Sequence, residues 1–240
     1  ARRFRARVHR GRLMARVIAV ANPRTGSGKT TTVASLGAML VDLGMSVLVV
    51  DLDPQASLTT RLGVDAERIA SSLYDVIMLG ERAVDAMVDT DARVDLLPAA
   101  LELSGVEAAL VTRSGREQLV KDALREVRDD YDFILVDCAS SLGILTQNGL
   151  SMADLLLIPM TEYSQRATAQ LLESVDEISK FVNPSLEVLG VLPTNVDTVS
   201  ARQIVESVQQ EHGLPVLPHI PSGSRAFNAY REFAKTLITR

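Results

Sequence analysis

The sequence has no tryptophan, only nine other aromatic residues, one cysteine and three histidines among 240 residues. Each shortage excludes something. A lone cysteine, Cys138, rules out an internal disulfide framework and suits a reducing compartment. The histidines, His9, His212 and His219, show no ligand spacing, so no histidine metal centre is read. There is no run of eighteen apolar residues and hence no candidate membrane-spanning helix. Repeats and low-complexity tracts are absent as well. The net charge of -5 does not advertise nucleic-acid binding, so any such contact needs a local basic patch. What is present, 47% hydrophobic residues, suits a sizeable core in one α/β domain spanning residues 14–240.

The first thirteen residues stand apart, with six arginines and no acid. Lacking serine and an apolar stretch, they fit neither a transit peptide nor a secretory signal. Two readings stay open: a disordered basic arm, or sequence upstream of a start at Met14.

The informative stretch is VIAVANPRTGSGKTTT, Val17 to Thr32. Its apolar beginning, Val17–Ala21, reads as a buried parallel strand. A Gly-containing turn, Arg24–Gly28, follows, and Thr30 to Leu43 carries Val33, Leu36, Leu40 and Leu43 at helical spacing. Strand, turn and helix N-terminus in that order make a phosphate site. Turn N–H groups point inward, the helix dipole adds partial positive charge, and a lysine reaches the outer phosphates. A hydroxyl directly after the lysine, Thr30, is placed to ligate Mg²⁺. The usual P-loop wording has glycine where this chain has Pro23.

Two acidic strand ends complete the pattern. Val47–Val50 runs into Asp51-Leu52-Asp53-Pro54-Gln55, and Phe133–Val136 runs into Asp137-Cys138. Ligands of open α/β sheets bind at the carboxyl ends of strands. A carboxylate there holds metal or orients water, whereas one that caps the next helix does neither. Asp137 reads as the metal carboxylate and Cys138 as a small buried filler. Asp53 is placed to position water or help hold the metal, and Asp51 fits the capping role better.

The remainder is read more coarsely. Leu73, Val76 and Ile77 suggest a helix, Val94–Leu97 a short strand, and Glu117–Val127 a helix with Leu119, Ala123, Leu124 and Val127 on one face. Strands follow at Ala153–Pro159 and Val188–Leu192, with a helix bearing Leu171, Leu172, Val175 and Ile178 between them. A helix is predicted over Ala201–Gln210 and a short strand over Leu217–Pro221. The final helix places Phe227, Tyr230, Phe233, Ala234 and Leu237 inward. The predicted fold is a doubly wound, mostly parallel sheet of the P-loop NTPase type, with helices on both faces.

ANPRTGSGKTTT resembles the deviant Walker A motif of the ParA/MinD family of ATPases, usually written around ANQKGGVGKTTT. DLDPQ is similar to that family's switch I, and DCASSLG to its switch II, DCPPSLG. Ala139-Ser140 stand in place of two prolines, which predicts a more pliable loop. The resemblance runs in motif order from about Ala15 to about Lys235.

It implies ATP and Mg²⁺ as ligands and slow, partner-stimulated hydrolysis. The catalytic set would be Lys29, Asp53 and Arg24, the last matching a family lysine that reaches the partner's nucleotide in a dimer. Thr25, Gly26, Ser27, Gly28, Lys29, Thr30 and Thr31 would cradle the phosphates. Thr30, Asp137 and Asp53 would serve the metal. Base contacts fall near Asn195 and Asp197, where a turn-forming role is equally open. A Glu-Gly pair of the family is replaced by Ala167 and Thr168.

Arg202, Arg225, Arg231 and Lys235 are the candidate non-specific DNA contacts, set against scattered surface charge. The implied partners are a second copy of the chain on ATP binding, DNA, and a ParB-like or cargo-adaptor protein. The implied place is the cytoplasm, at the nucleoid. No stable membrane association is expected, because the last helix reads as core packing. The single cysteine argues against the iron–sulfur relatives. Two other roles stay open: an ATP-binding scaffold with little hydrolysis, and a MinD-like membrane-surface regulator.

Overall fold

Uninterrupted aliphatic runs become the centre of one seven-stranded sheet. The computed structural model describes residues 15–161 and 165–240, with the backbone alone for 165–167. The basic stretch 1–13 and the side chain of Ala167 therefore lie outside the described residues. The strands are β1 (Arg16–Val20), β2 (Val47–Asp51), β3 (Val88–Asp89), β4 (Asp95–Leu97), β5 (Phe133–Asp137), β6 (Leu155–Met160) and β7 (Glu187–Pro193). Their order across the sheet is β3-β4-β2-β5-β1-β6-β7, and every pairing is parallel except β3 with β4. This confirms the predicted fold class.

Side chains alternate between two cores, as the strand period of two requires. Val17 and Ala19 enter one core, and Ile18 and Val20 the other. Burial on both faces is what makes these strands read as continuous apolar runs. On one face lie α1 (Lys29–Asp42), α2 (Ser57–Arg61) and the terminal helix introduced below. The opposite core takes residues from α3 (Ala83–Ala86), α4 (Val106–Leu110), α5 (Leu119–Ala123), α6 (Ile144–Met152), α7 (Gln165–Phe181) and α8 (Thr198–His212). The terminal helix, α9 (Ala226–Thr239), packs along α1. Gly37 lets α1 approach the sheet, because a Cβ there would sit 3.3 Å from Val49 and 3.4 Å from Val94.

Three expectations are corrected. The stretch 117–127 is not one helix: a 3₁₀ turn at Arg116–Gln118 leads into the single turn of α5, which ends at Leu124. The buried residues are Val120, Leu124 and Val127, while Leu119 and Ala123 are only partly covered. Leu217–Pro221 is not a strand. Only isolated bridges at Val216 and Ile220 meet Val191 and Thr194, and Pro215, Pro218 and Pro221 withhold the donors a ladder needs. Phe227 is not inward but 53% exposed, although Tyr230, Phe233, Ala234 and Leu237 are buried as expected. The Leu73–Ile77 segment forms a π-helical turn over Asp75–Leu79 with Leu73, Val76 and Ile77 buried.

Register positions the site. Val20 pairs with Asp137, and Asp137 with Asp51, so the loops leaving β1, β2 and β5 emerge side by side at the carboxyl edge. That is the edge at which doubly wound sheets bind ligands.

Candidate functional site

The turn after β1 is held from three directions. Asn22 is buried; its Oδ1 accepts the Arg24 N–H at 2.9 Å, and its Nδ2 donates to the Pro159 carbonyl at 2.8 Å. Thr194, at the end of β7, donates its hydroxyl to the Ser27 carbonyl at 2.8 Å. Gly28 begins α1 at φ 94, a left-handed conformation that costs glycine little. A Cβ there would also stand 2.9 Å from the Thr194 hydroxyl, so position 28 admits no side chain without movement. The result is a helix N-terminus with no side-chain cap, the end at which a helix offers N–H groups to an anion.

Lys29 lies across this turn, 5% exposed. Its Nζ donates to the Asn22 carbonyl at 2.9 Å, the Arg24 carbonyl at 3.2 Å and the Ser140 Oγ at 2.7 Å. Burial lowers its pKa, and the nearby Asp137, Cys138 and Asp53 oppose that shift. A desolvated cation of this kind is poised for an anion.

The acidic side is equally specific. Thr30 donates its hydroxyl to the Asp137 Oδ2 at 2.7 Å. The other oxygen, Oδ1, is buried without a hydrogen-bond partner. Burial, and then the charge of Asp51, push the Asp137 carboxyl up to about 8. An orphaned carboxylate oxygen beside a hydroxyl is a donor set that fits Mg²⁺, a cation that takes one or two protein oxygens and otherwise water and phosphate.

Asp51 has no such freedom. Its Oδ2 accepts the Thr59 N–H at 2.9 Å and the Thr59 hydroxyl at 2.8 Å, and its Oδ1 accepts the Asp53 N–H at 3.1 Å. It ties α2 to the sheet, although burial still raises its pKa to about 6. Asp53 is half-buried; one of its oxygens accepts the Gln55 N–H at 3.0 Å, and its side chain reaches the cleft. Cys138 is fully buried, and burial pushes its thiol pKa well up, as a filler requires.

A cleft of about 680 Å³ unites these groups. Thr25, Gly26, Gly28, Lys29, Thr30 and Thr31 line one side, and Asp53, Ala139, Ser140 and Ser141 lie across from them. Ser27 does not line it. Its side chain is buried, its Oγ lacks a partner, and its backbone serves Thr194. Arg24 stands exposed on the loop and forms no ion pair among the described residues.

Asn195 and Asp197 are not brought to this cleft. Asn195 is an exposed left-handed turn residue at φ 54. The fully exposed Asp197 caps α8 by accepting the Val199 and Ser200 N–H groups at 2.9 and 2.8 Å, and these bonds lower its pKa.

The four candidate DNA contacts are all exposed but do not share one face. Arg202 is on α8, while Arg225, Arg231 and Lys235 lie at or on α9 against the opposite core. Lys235 pairs with Glu232 at 2.7 Å. At the position of the missing Glu-Gly pair, Thr168 is buried in the first turn of α7.

The residues that sequence reasoning missed are Asn22, Thr194 and Ser140. A polar Asn22 directly after an apolar strand was a usable signal, because a buried amide has to find partners. Thr194 joins from a position 167 residues away and leaves no local trace.

Residues 15–188 match the family described as an AAA domain. The sporulation initiation inhibitor protein Soj of Bacillus subtilis is 34% identical, over 92% of this chain and 98% of Soj. The chain belongs to the ParA/Soj family of P-loop ATPases. The chromosome partitioning protein ParA of Caulobacter vibrioides is similar at 36% identity, over 82% of this chain and 77% of that protein. Among solved structures, a Mycobacterium smegmatis protein described as cobyrinic acid a,c-diamide synthase superposes with a TM-score of 0.90 and 42% identity. That match covers 94% of both chains, and the relative was solved with ADP and magnesium. The structure of Cyanothece McdA with ATP, TM-score 0.80 at 24% identity over 91% of this chain and 87% of that one, shares the fold. Among the described residues no helix is long and apolar enough to cross a membrane.

Proposed function

We propose that this ParA/Soj-family chain binds ATP·Mg²⁺, dimerises with the nucleotide at the interface, and in that state binds DNA non-specifically until hydrolysis releases it. The observation that carries the reading is the cleft itself: an uncapped helix N-terminus, a buried Lys29, and Thr30 beside an Asp137 oxygen with no partner. The M. smegmatis relative, solved with an ATP analogue and magnesium at 42% identity, supports the ligand pair.

In this reading Lys29 offsets charge on the outer phosphates, and the loop N–H groups and the dipole of α1 orient them. Thr30 and Asp137 hold Mg²⁺, which neutralises charge between the phosphates. Asp53, half-exposed at the mouth of the same cleft, orients the attacking water. A stimulating partner or cargo adaptor would act on the loops at 51–55 and 137–143, and the protein would work in the cytoplasm at the nucleoid.

The name carried by the M. smegmatis relative suggests amide formation as a rival activity. Taking nitrogen from glutamine would need a reactive thiolate. Cys138 is fully buried with its thiol held protonated, so the described residues favour the ATPase reading.

DNA binding by the purified protein, with ATP, ADP or no nucleotide at two salt concentrations, tests the proposal. Binding is expected with ATP alone, and should weaken steeply as salt rises, as contacts to phosphate do. Equal binding in all three conditions would remove nucleotide as the switch, and absence of binding would remove the DNA role.

Arg24 allows a second test, because its side chain is exposed and forms no ion pair among the described residues. Arg24→Ala should leave ATP affinity within about threefold, since the backbone groups of residue 24 that hold the loop remain. Turnover in the dimer should fall at least about tenfold, the lower end for an arginine supplied across an interface. Sedimentation with ATP, paired with phosphate release, separates the two effects.

A further inference from the structure

An ammonium group has three protons, and Lys29 places all three: on the Asn22 carbonyl, on the Arg24 carbonyl and on the Ser140 Oγ. The bond to Ser140, at 2.7 Å, is the shortest, and it alone reaches the loop after β5, 111 residues away. An incoming phosphate must draw on a lysine with no proton to spare. Releasing the Asn22 carbonyl, in a residue 1% exposed, would strand a buried acceptor. Releasing Ser140 strands nothing, because its side chain is half-buried at the cleft wall.

The hydroxyl also has a second capability. While it accepts from Lys29 its own proton is uncommitted: among the described residues Ser140 donates to no group. Once Lys29 turns to a phosphate, the hydroxyl can rotate and donate to a phosphate oxygen. Proline, the residue at this place in the sequences that the loop resembles, has neither the hydroxyl nor an N–H. Here Ser140 is bonded directly to the buried lysine after the loop.

We propose that Ser140 is a terminal-phosphate contact. Its hydroxyl holds Lys29 until nucleotide arrives and then donates to the outermost phosphate of ATP, so the 139–143 loop registers the third phosphate. This deepens the ATP·Mg²⁺ reading above and rests on it. ADP, lacking that phosphate, takes Lys29 without engaging the hydroxyl.

The test is calorimetric titration of the full chain with ATP·Mg²⁺ and with ADP·Mg²⁺, for the wild type, Ser140→Ala and Ser140→Thr. Ser140→Ala should weaken ATP about tenfold, the scale of one hydrogen bond to a charged group. ADP affinity should hold or rise, because Lys29 no longer has to leave a partner. Ser140→Thr, which keeps the hydroxyl, should restore the ATP-to-ADP preference to within about twofold of the wild type. An unchanged preference in Ser140→Ala, or equal weakening of both nucleotides, would overturn the assignment while leaving the ATP reading intact. A wild-type chain that binds neither nucleotide would overturn both.

Discussion

Replacing Lys29 with methionine should lower kcat/KM for ATP hydrolysis by roughly 10²–10³-fold or more, the loss typical of one preorganised charge-stabilising group. It should do so without unfolding the protein. The lysine is a desolvated cation, 5% exposed, whose pKa burial lowers, so the fold gains little from its charge. Methionine retains most of the apolar stem and removes the desolvation cost. Against that, the Asn22 and Arg24 carbonyls lose a donor. The two changes oppose each other, and the melting temperature should stay within about 4 °C, the equivalent of roughly 1 kcal/mol for a chain of this size. Thermal melting beside phosphate release checks both halves. A large fall in melting temperature together with lost turnover would mean that Lys29 mainly holds the loop.

What the sequence made legible follows from how local each signal is. β1, β2 and β5 are buried on both faces, so their apolar runs needed no knowledge of their neighbours, and the sheet and its acidic edge were readable. The stretch 117–127 misled because helical spacing survives a break: Val120, Leu124 and Val127 are all buried although the chain leaves the helix at Leu124. Phe227 misled for the converse reason. It shares the stripe of Tyr230 and Ala234, but periodicity says which side a residue occupies, not whether anything lies opposite.

In the site, the residues that act through their own loop were visible, namely Lys29, Thr30, Asp53 and Asp137. Those that act across the fold were not. Thr194 reaches Ser27 from the far end of β7, and Ser140 reaches Lys29 from the loop after β5. Asp51 and Asp53 show the same limit from the other side. Asp51 ends β2 and Asp53 follows two residues later in the same motif, yet Thr59, which lies in α2, decides that Asp51 is structural.

Asp137→Asn should separate stability from function most sharply. Asp137 and Asp51 are register partners at the ends of adjacent strands, both buried, and burial with their mutual repulsion holds the Asp137 carboxyl near 8. For an acid whose folded pKa is raised, the stabilisation from protonation is complete below the unfolded pKa, near 4. It is lost as pH rises toward the folded value, near 8. Asparagine is neutral throughout and can still accept the Thr30 hydroxyl.

In metal-free buffer the variant should therefore match the wild type near pH 4–5 and become the more stable protein as pH climbs. Its advantage should level off above pH 8 at about 5 kcal/mol, or roughly 10–20 °C in melting temperature. Function should move the opposite way. A neutral amide is a poor Mg²⁺ ligand, and Mg²⁺-dependent turnover should fall at least about 10²-fold. Wild-type Mg²⁺ affinity, measured with ATP present, should rise about tenfold per pH unit below pH 8, because one proton must leave Asp137 before the cation can bind. A pH-independent difference in melting temperature would mean that Asp137 is already ionised in the free protein. In that case the Lys29 ammonium, and not a proton, balances its charge.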